Sequence, residues 1–147
     1  MNNVRISIRE NSLYIAWMQS AVALIGSLFF SEVMKLPPCT LCWYQRICMY
    51  PLVVIIFVGM MNKDKNVGNY ILPLSGIGTL IALYHNLLYY KILPESIQTC
   101  AVGVSCTSRY VEWFGFITIP LLSLIAFVII DICTLLYIQQ NNYEKRS

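Results

Sequence analysis

The chain has 147 residues, 58% of them hydrophobic and 12% charged, with a formal net charge of +3. A soluble domain carries about 25% charged residues, so composition argues against a water-soluble globule, and the length leaves room for one domain only. The positive balance is small and unclustered, which argues against a nucleic-acid-binding face.

The first apolar block follows Arg5 and Arg9. A cleavable leader has an apolar stretch of about 7–15 residues and a small-x-small exit, whereas this block runs about twenty residues and leaves through Phe30-Ser31-Glu32-Val33. It reads as an uncleaved first span, 12–33. A bilayer core needs about twenty apolar residues of helix, and three more stretches qualify: 43–61, 70–90 and 114–137. Backbone groups in lipid must be satisfied within the segment, so all four are expected to be helices. The fold class is therefore an all-α membrane protein, a four-transmembrane-helix bundle forming one integral membrane domain over 1–147. Ala16, Ser20, Ala23 and Ser27 in the first span, and Gly78 and Ala82 in the third, are small residues at near-helical spacing that let helices approach.

Orientation follows from Lys and Arg in the connecting segments. Arg5, Arg9, Lys63, Lys65, Lys145 and Arg146 share one side; Lys35, Lys91 and Arg109 share the other. The bias puts both termini in the cytoplasm and the first and third turns outside.

The turn before the second span holds Cys39 and Cys42 as C-x-x-C, and the turn before the fourth holds Cys100 and Cys106. Disulfides form and persist outside the cytoplasm, where this topology puts both pairs. Cys48 and Cys133 fall inside spans and read as small apolar packing residues. A zinc site built from the four turn cysteines is disfavoured by the oxidising compartment and the loose second spacing, so no metal is expected. A staple closing a two-residue loop constrains little of the unfolded chain, which favours a redox role for Cys39 and Cys42. Cys42 is placed by this reading at the start of the second helix, where the dipole lowers a thiol pKa. Arg46 lies four residues on, on the same helical face. Pro37 and Pro38 stiffen the approach.

Arg46 and His85 are ionisable residues inside spans, which marks a functional site by default. At 1.5 Å per residue, Arg46 is about 5–6 Å and His85 about 7 Å below the outer ends of their helices. Polar donors at one depth beneath the C-x-x-C suit a planar apolar molecule with carbonyl edges, such as a quinone. Trp43, Tyr44, Tyr89 and Tyr90 read as interfacial belt residues. Asp131, near the other end of the fourth span, reads as a helix-pairing or interfacial residue.

The string Pro38-Cys39-Thr40-Leu41-Cys42-Trp43-Tyr44-Gln45-Arg46 resembles the signature of the disulfide bond formation protein B family (DsbB/BdbC type). Tyr84-His85-Asn86 and Phe114-Gly115-Phe116-Ile117-Thr118-Ile119-Pro120 are similar to that family too, and the likeness covers nearly the whole chain. The close spacing of Cys100 and Cys106 matches the shorter BdbC-like branch. The resemblance implies a plasma-membrane thiol:quinone oxidoreductase that supports protein disulfide formation and draws on the membrane quinone pool, menaquinone or ubiquinone. It implies catalytic Cys39, Cys42, Cys100 and Cys106, a quinone beside Cys42 contacted by Arg46 with His85 nearby, and an extracytoplasmic thioredoxin-fold thiol oxidase (DsbA/BdbD-like) as partner. In the implied sequence of exchanges, the partner thiolate attacks Cys100, Cys106 leaves and attacks Cys39, and Cys42 is freed to reduce the quinone.

Two alternatives stand beside this reading. A vitamin K epoxide reductase-like enzyme is disfavoured because the fourth span holds only Cys133. A non-enzymatic scaffold with structural disulfides differs in carrying no quinone.

Overall fold

The computed structural model describes residues 2–35, 38–90, 92 and 118–146, the first nine and last three of these as backbone only. Four long helices follow in chain order: α1 (Asn2–Leu28), α2 (Thr40–Met61), α3 (Gly68–Tyr89) and α4 (Ile119–Arg146). A π-helical turn, Phe29–Val33, extends α1, closed by the Met34 N–H on the Phe29 carbonyl. All four helices are long and apolar enough to cross a bilayer, over Asn11–Val33, Thr40–Met61, Gly68–Tyr89 and Ile119–Tyr143. The expected spans are thus present. Residues 114–117 of the fourth expectation lie outside the described residues.

The helices form a ring in which α1 touches α2 and α4, and α3 touches α2 and α4. Large apolar side chains such as Ile25, Val54, Leu80 and Ile132 point outward, fully at odds with water and suited to lipid. The interior is built from small residues facing large ones. Ala16, Ser20 and Ala82 are completely buried, as are Leu52, Ile56, Ile71 and Ile130. Gly78 has no room for a side chain, because a Cβ there would run into the Phe127 ring. Cys48 and Cys133 belong to this core, in the packing role read for them.

Asp131 joins α4 to α3. Its two carboxylate oxygens take the hydroxyls of Ser75 and Thr79, the latter at 2.6 Å. Of the two roles read for it, interfacial or helix-pairing, this is the helix-pairing one.

Each end of the bundle is tied by side chains. At the end holding the α2–α3 turn, the Lys63 N–H returns to the Met60 carbonyl and the Asp64 N–H to the Gly59 carbonyl. That crossed pattern, with Lys63 at φ 49° in the left-handed region, is the usual way a helix stops abruptly. From α4, the Tyr137 hydroxyl donates to the Asp64 carbonyl (2.9 Å) and the Asn141 amide to the Lys65 carbonyl (2.7 Å). At the opposite end, Thr118 caps α4 by accepting the Leu121 N–H on its hydroxyl. The Asn86 amide there donates at 2.8 Å to both Ala82 and Pro120 carbonyls, fastening α3 to the start of α4. The first cysteine pair sits at this end.

Candidate redox site

Helix α2 starts at Thr40, earlier than the sequence reading placed it, and the N-cap is Cys39. Its sulfur accepts the Cys42 backbone N–H at 3.3 Å. The cap at the positive end of the dipole is therefore Cys39, and Cys42 follows in the first turn, at the helix start where the sequence places it. A cap needs an extended residue just before the first helical turn, and Cys39 is extended (φ −71°, ψ 168°).

The Sγ atoms of Cys39 and Cys42 are 2.7 Å apart. His85 approaches from α3, its Nε2 3.8 Å from the Cys39 sulfur. Two thiolates on a tetrahedral zinc, each about 2.3 Å from the metal, stand about 3.8 Å apart. The donor atoms of Cys39, Cys42 and His85 cluster within 4.8 Å of one another, but the sulfurs lie too close together for that coordination and well placed to bond each other.

Cys39 lies just outside the membrane-spanning segment and is 7% exposed. Its thiol is lowered from 9.0 to about 4, chiefly by the hydrogen bond from the Cys42 thiol, with His85 and the Cys42 N–H assisting against the cost of burial. Such a sulfur is held as thiolate, the form that attacks disulfides and leaves them easily.

Beneath the pair, α2 sends two successive polar side chains to opposite flanks, as the roughly 100° step between helical neighbours requires. Gln45, buried at 8% exposure, reaches α3, where its Nε2 is 3.3 Å from Nδ1 of His85. Arg46 turns instead to α1. Its Nε donates to the Ser27 hydroxyl at 2.8 Å and an Nη to the Ser27 carbonyl at 2.9 Å, while the guanidinium lies 5.6 Å from the Trp43 ring. Arg46 and His85 are thus both close to the cysteines, as their depth suggested, but on different sides of α2.

Gln45 and Ser27 were not read as site residues. Gln45 carried a signal: a polar side chain in an apolar helix, three residues from Cys42 and so on its face. Ser27 was noted only as a small packing residue. Tyr84 also borders the cysteines, in the apolar cluster of Cys39, Leu41 and Leu88. Its hydroxyl is buried without a hydrogen-bond partner among the described residues. Of the aromatic residues expected at the interface, Trp43, Tyr44 and Tyr90 are exposed. Tyr89 is buried instead, its ring edge-on to Tyr90 at 5.6 Å. Cys100 and Cys106 lie outside the described residues.

A family model, "Disulfide bond formation protein DsbB", matches residues 9–137. The chain belongs to the DsbB family. The relatives of this DsbB-family protein agree. It is 49% identical over 95% of its length to probable disulfide formation protein C 2 of Bacillus anthracis, covering 98% of that protein. It is 48% identical over 89% of its length to probable disulfide formation protein C of Halalkalibacterium halodurans, covering 96% of it. It is 48% identical over 82% of its length to disulfide bond formation protein C of Bacillus subtilis, covering 87% of it. No solved structure matches the chain. Four apolar helices and this membership make the DsbB-family chain a multi-pass membrane protein of disulfide bond formation, a disulfide-generating oxidoreductase.

Proposed function

We propose that the protein is a thiol:quinone oxidoreductase that reoxidises an extracytoplasmic thioredoxin-fold thiol oxidase, with both termini in the cytoplasm. The observation that carries this reading is the Cys39–Cys42 pair. Two sulfurs 2.7 Å apart stand at the start of a membrane helix, one of them its cap, backed by a buried histidine on one flank and an anchored arginine on the other. The Lys/Arg bias of the connecting segments supports the orientation.

The residues present fit a quinone. Cys42 and Arg46 are half-buried, Trp43 and Ile47 beside them are exposed on the lipid-facing surface, and the Tyr84 hydroxyl is a buried polar group with no partner among the described residues. An apolar ring with carbonyl edges matches that mixture of greasy approach and polar donors. Arg46 would hold it beside Cys42, with His85 near it and Tyr84 as a further donor. Bound there, a quinone supplies a sink for two electrons and two protons.

The chain's own residues account for the sulfur chemistry. A partner thiolate opens the Cys100–Cys106 disulfide at Cys100, and the Cys106 sulfur leaves with the electron pair. Cys106 then attacks Cys39, forming Cys39–Cys106 and releasing Cys42 as thiolate. The partner's second thiolate displaces Cys100 and leaves as the partner disulfide, and the freed Cys100 thiolate attacks Cys106, reforming Cys100–Cys106 and releasing Cys39 as a thiolate held by the Cys42 N–H and by His85. Closing the Cys39–Cys42 bond joins the two sulfurs and gives up two electrons. A DsbA-like partner has a potential near about −120 mV, and about 30 mV is worth 1.4 kcal/mol for a two-electron couple. Stabilising the Cys39 thiolate makes the first pair more oxidising, which narrows the uphill gap to such a partner.

The test is anaerobic. Purified protein, a reduced thioredoxin-fold partner and a quinone are mixed, and quinone absorbance is followed. Quinol should form in step with partner disulfide; partner oxidation without quinol would remove the quinone from the proposal.

A further inference from the structure

We propose that Gln45 is a positioning residue that fixes which nitrogen of His85 carries the proton, so that a neutral imidazole always presents Nε2–H to the sulfur of Cys39. The inference deepens the thiol oxidation proposed above and rests on it for its purpose, though its geometry stands without any quinone.

The side-chain nitrogen of Gln45 is a donor only. It lies 3.3 Å from Nδ1 of His85, so Nδ1 must be the bare, accepting nitrogen. A neutral imidazole with a bare Nδ1 carries its hydrogen on Nε2. That is the nitrogen 3.8 Å from the Cys39 sulfur. Gln45 and His85 sit on adjacent helices and are 8% and 2% exposed. Bulk water has little access to shuttle the proton between the two nitrogens.

The chemical consequence falls on Cys39. A fixed N–H aimed at its sulfur stands in place before negative charge arrives there, so the bond strengthens as an S–S bond to Cys39 breaks and its electron pair comes to rest on that sulfur. The proton stays on His85 throughout. When the thiolate is consumed in closing the bond to Cys42, no proton has to be removed from Cys39 first.

A carboxylate at position 45 would behave differently. It has no hydrogen to offer Nδ1 and can only accept one, so Nδ1 would bind a proton from solvent and donate to the carboxylate, leaving His85 an imidazolium with both nitrogens protonated. An amide rotated to face His85 with its oxygen would instead accept Nδ1–H and leave a neutral ring with Nε2 bare toward Cys39.

His85 is the only histidine of the chain, so ¹⁵N-histidine labelling reports on it alone. The reduced full-length protein in micelles is the sample. The wild type is expected to show a bare, pyridine-type Nδ1 and a protonated Nε2. Gln45→Glu is expected to show both nitrogens protonated, and Gln45→Leu a loss of the fixed pattern. In Gln45→Leu the pH midpoint for alkylation of Cys39 should also rise, as a packing role alone would not require. A protonated Nδ1 in the wild type overturns the proposal, as does a Gln45→Leu protein that keeps the wild-type pattern. Should Gln45→Leu fail to fold, the wild type and Gln45→Glu decide the matter. No turnover is measured, so a protein that shows the expected pattern but reduces no quinone would separate this inference from the proposed function.

Discussion

The sulfur of Cys39 lies 3.8 Å from Nε2 of His85, across the α2–α3 interface at one end of the bundle. Because the same sulfur caps α2, a buried histidine and a helix terminus act on one atom. That convergence makes Cys39 the thiol of unusual reactivity, with measurable consequences.

In the reduced protein Cys39 should be alkylated rapidly in mild acid. An ordinary thiol with a pKa of about 8.5 is only about one-thousandth thiolate near pH 5.5. Cys39, lowered to about 4, is almost wholly thiolate there. Its alkylation rate, read by peptide mass, should stay flat from neutral pH down to about 5 and fall tenfold per unit below about 4. The sign for stability follows: the depressed thiol contributes fully above about pH 9, and that contribution is lost as pH falls toward about 4. The disulfide form lacks the group and should lack this slope.

Replacing His85 by Leu removes one donor and leaves the Cys42 N–H in place. A hydrogen bond to a charged group is worth about 1.5–3 kcal/mol, and one pKa unit is about 1.4 kcal/mol. The alkylation midpoint of Cys39 should therefore rise by about one to two pH units. An unchanged midpoint would mean that the histidine does not act on this sulfur.

Ser27 holds Arg46 through its hydroxyl and its carbonyl, and Ser27→Ala removes only the former. A loss of about 1 kcal/mol in positioning corresponds to a roughly fivefold rise in the apparent KM for quinone, with kcat little changed. Arg46→Ala should raise KM further. If only the KM for the protein thiol moves in either variant, Arg46 does not serve the quinone.

The four spans were legible because apolar runs of membrane length have few other readings, and the small residues Ala16, Ser20 and Ala82 do lie at buried helix contacts. The placement of the cysteines on the helix was not. The apolar run points to Trp43 as the start of α2, whereas the helix begins at Thr40, where Cys39 satisfies an otherwise orphaned N–H. Depth was legible for Arg46 and His85 because rise per residue is fixed. Direction was not, since it depends on which neighbour each helix face meets: α1 for Arg46, α3 for Gln45. Tyr89 shows the same limit, an aromatic at interfacial depth turned inward.

Asp131 bridges α4 to Ser75 and Thr79 far along the helices from the cysteines. Interhelical hydrogen bonds in membranes are worth about 0.6–1.7 kcal/mol each. Asp131→Ala should lower stability by about 1–3 kcal/mol in a denaturation titration in micelles, and leave the pH profile of Cys39 alkylation unmoved. Movement of that profile would show that Asp131 communicates with the thiol site.

Gly78 meets the Phe127 ring with no space for a Cβ. Gly78→Ala should cost about 1–3 kcal/mol through overpacking, and Phe127→Leu in the same chain should recover part of it. Equal loss with and without the second change would place the strain elsewhere.

The most direct measurement uses a Cys100→Ser/Cys106→Ser variant, reduced, freed of reductant and mixed anaerobically with stoichiometric quinone. One quinol per protein and one new Cys39–Cys42 disulfide are expected, with neither product when Cys42 is also replaced by Ser. Quinone that stays oxidised beside an intact dithiol, or quinol formed equally well without Cys42, would contradict the proposed function.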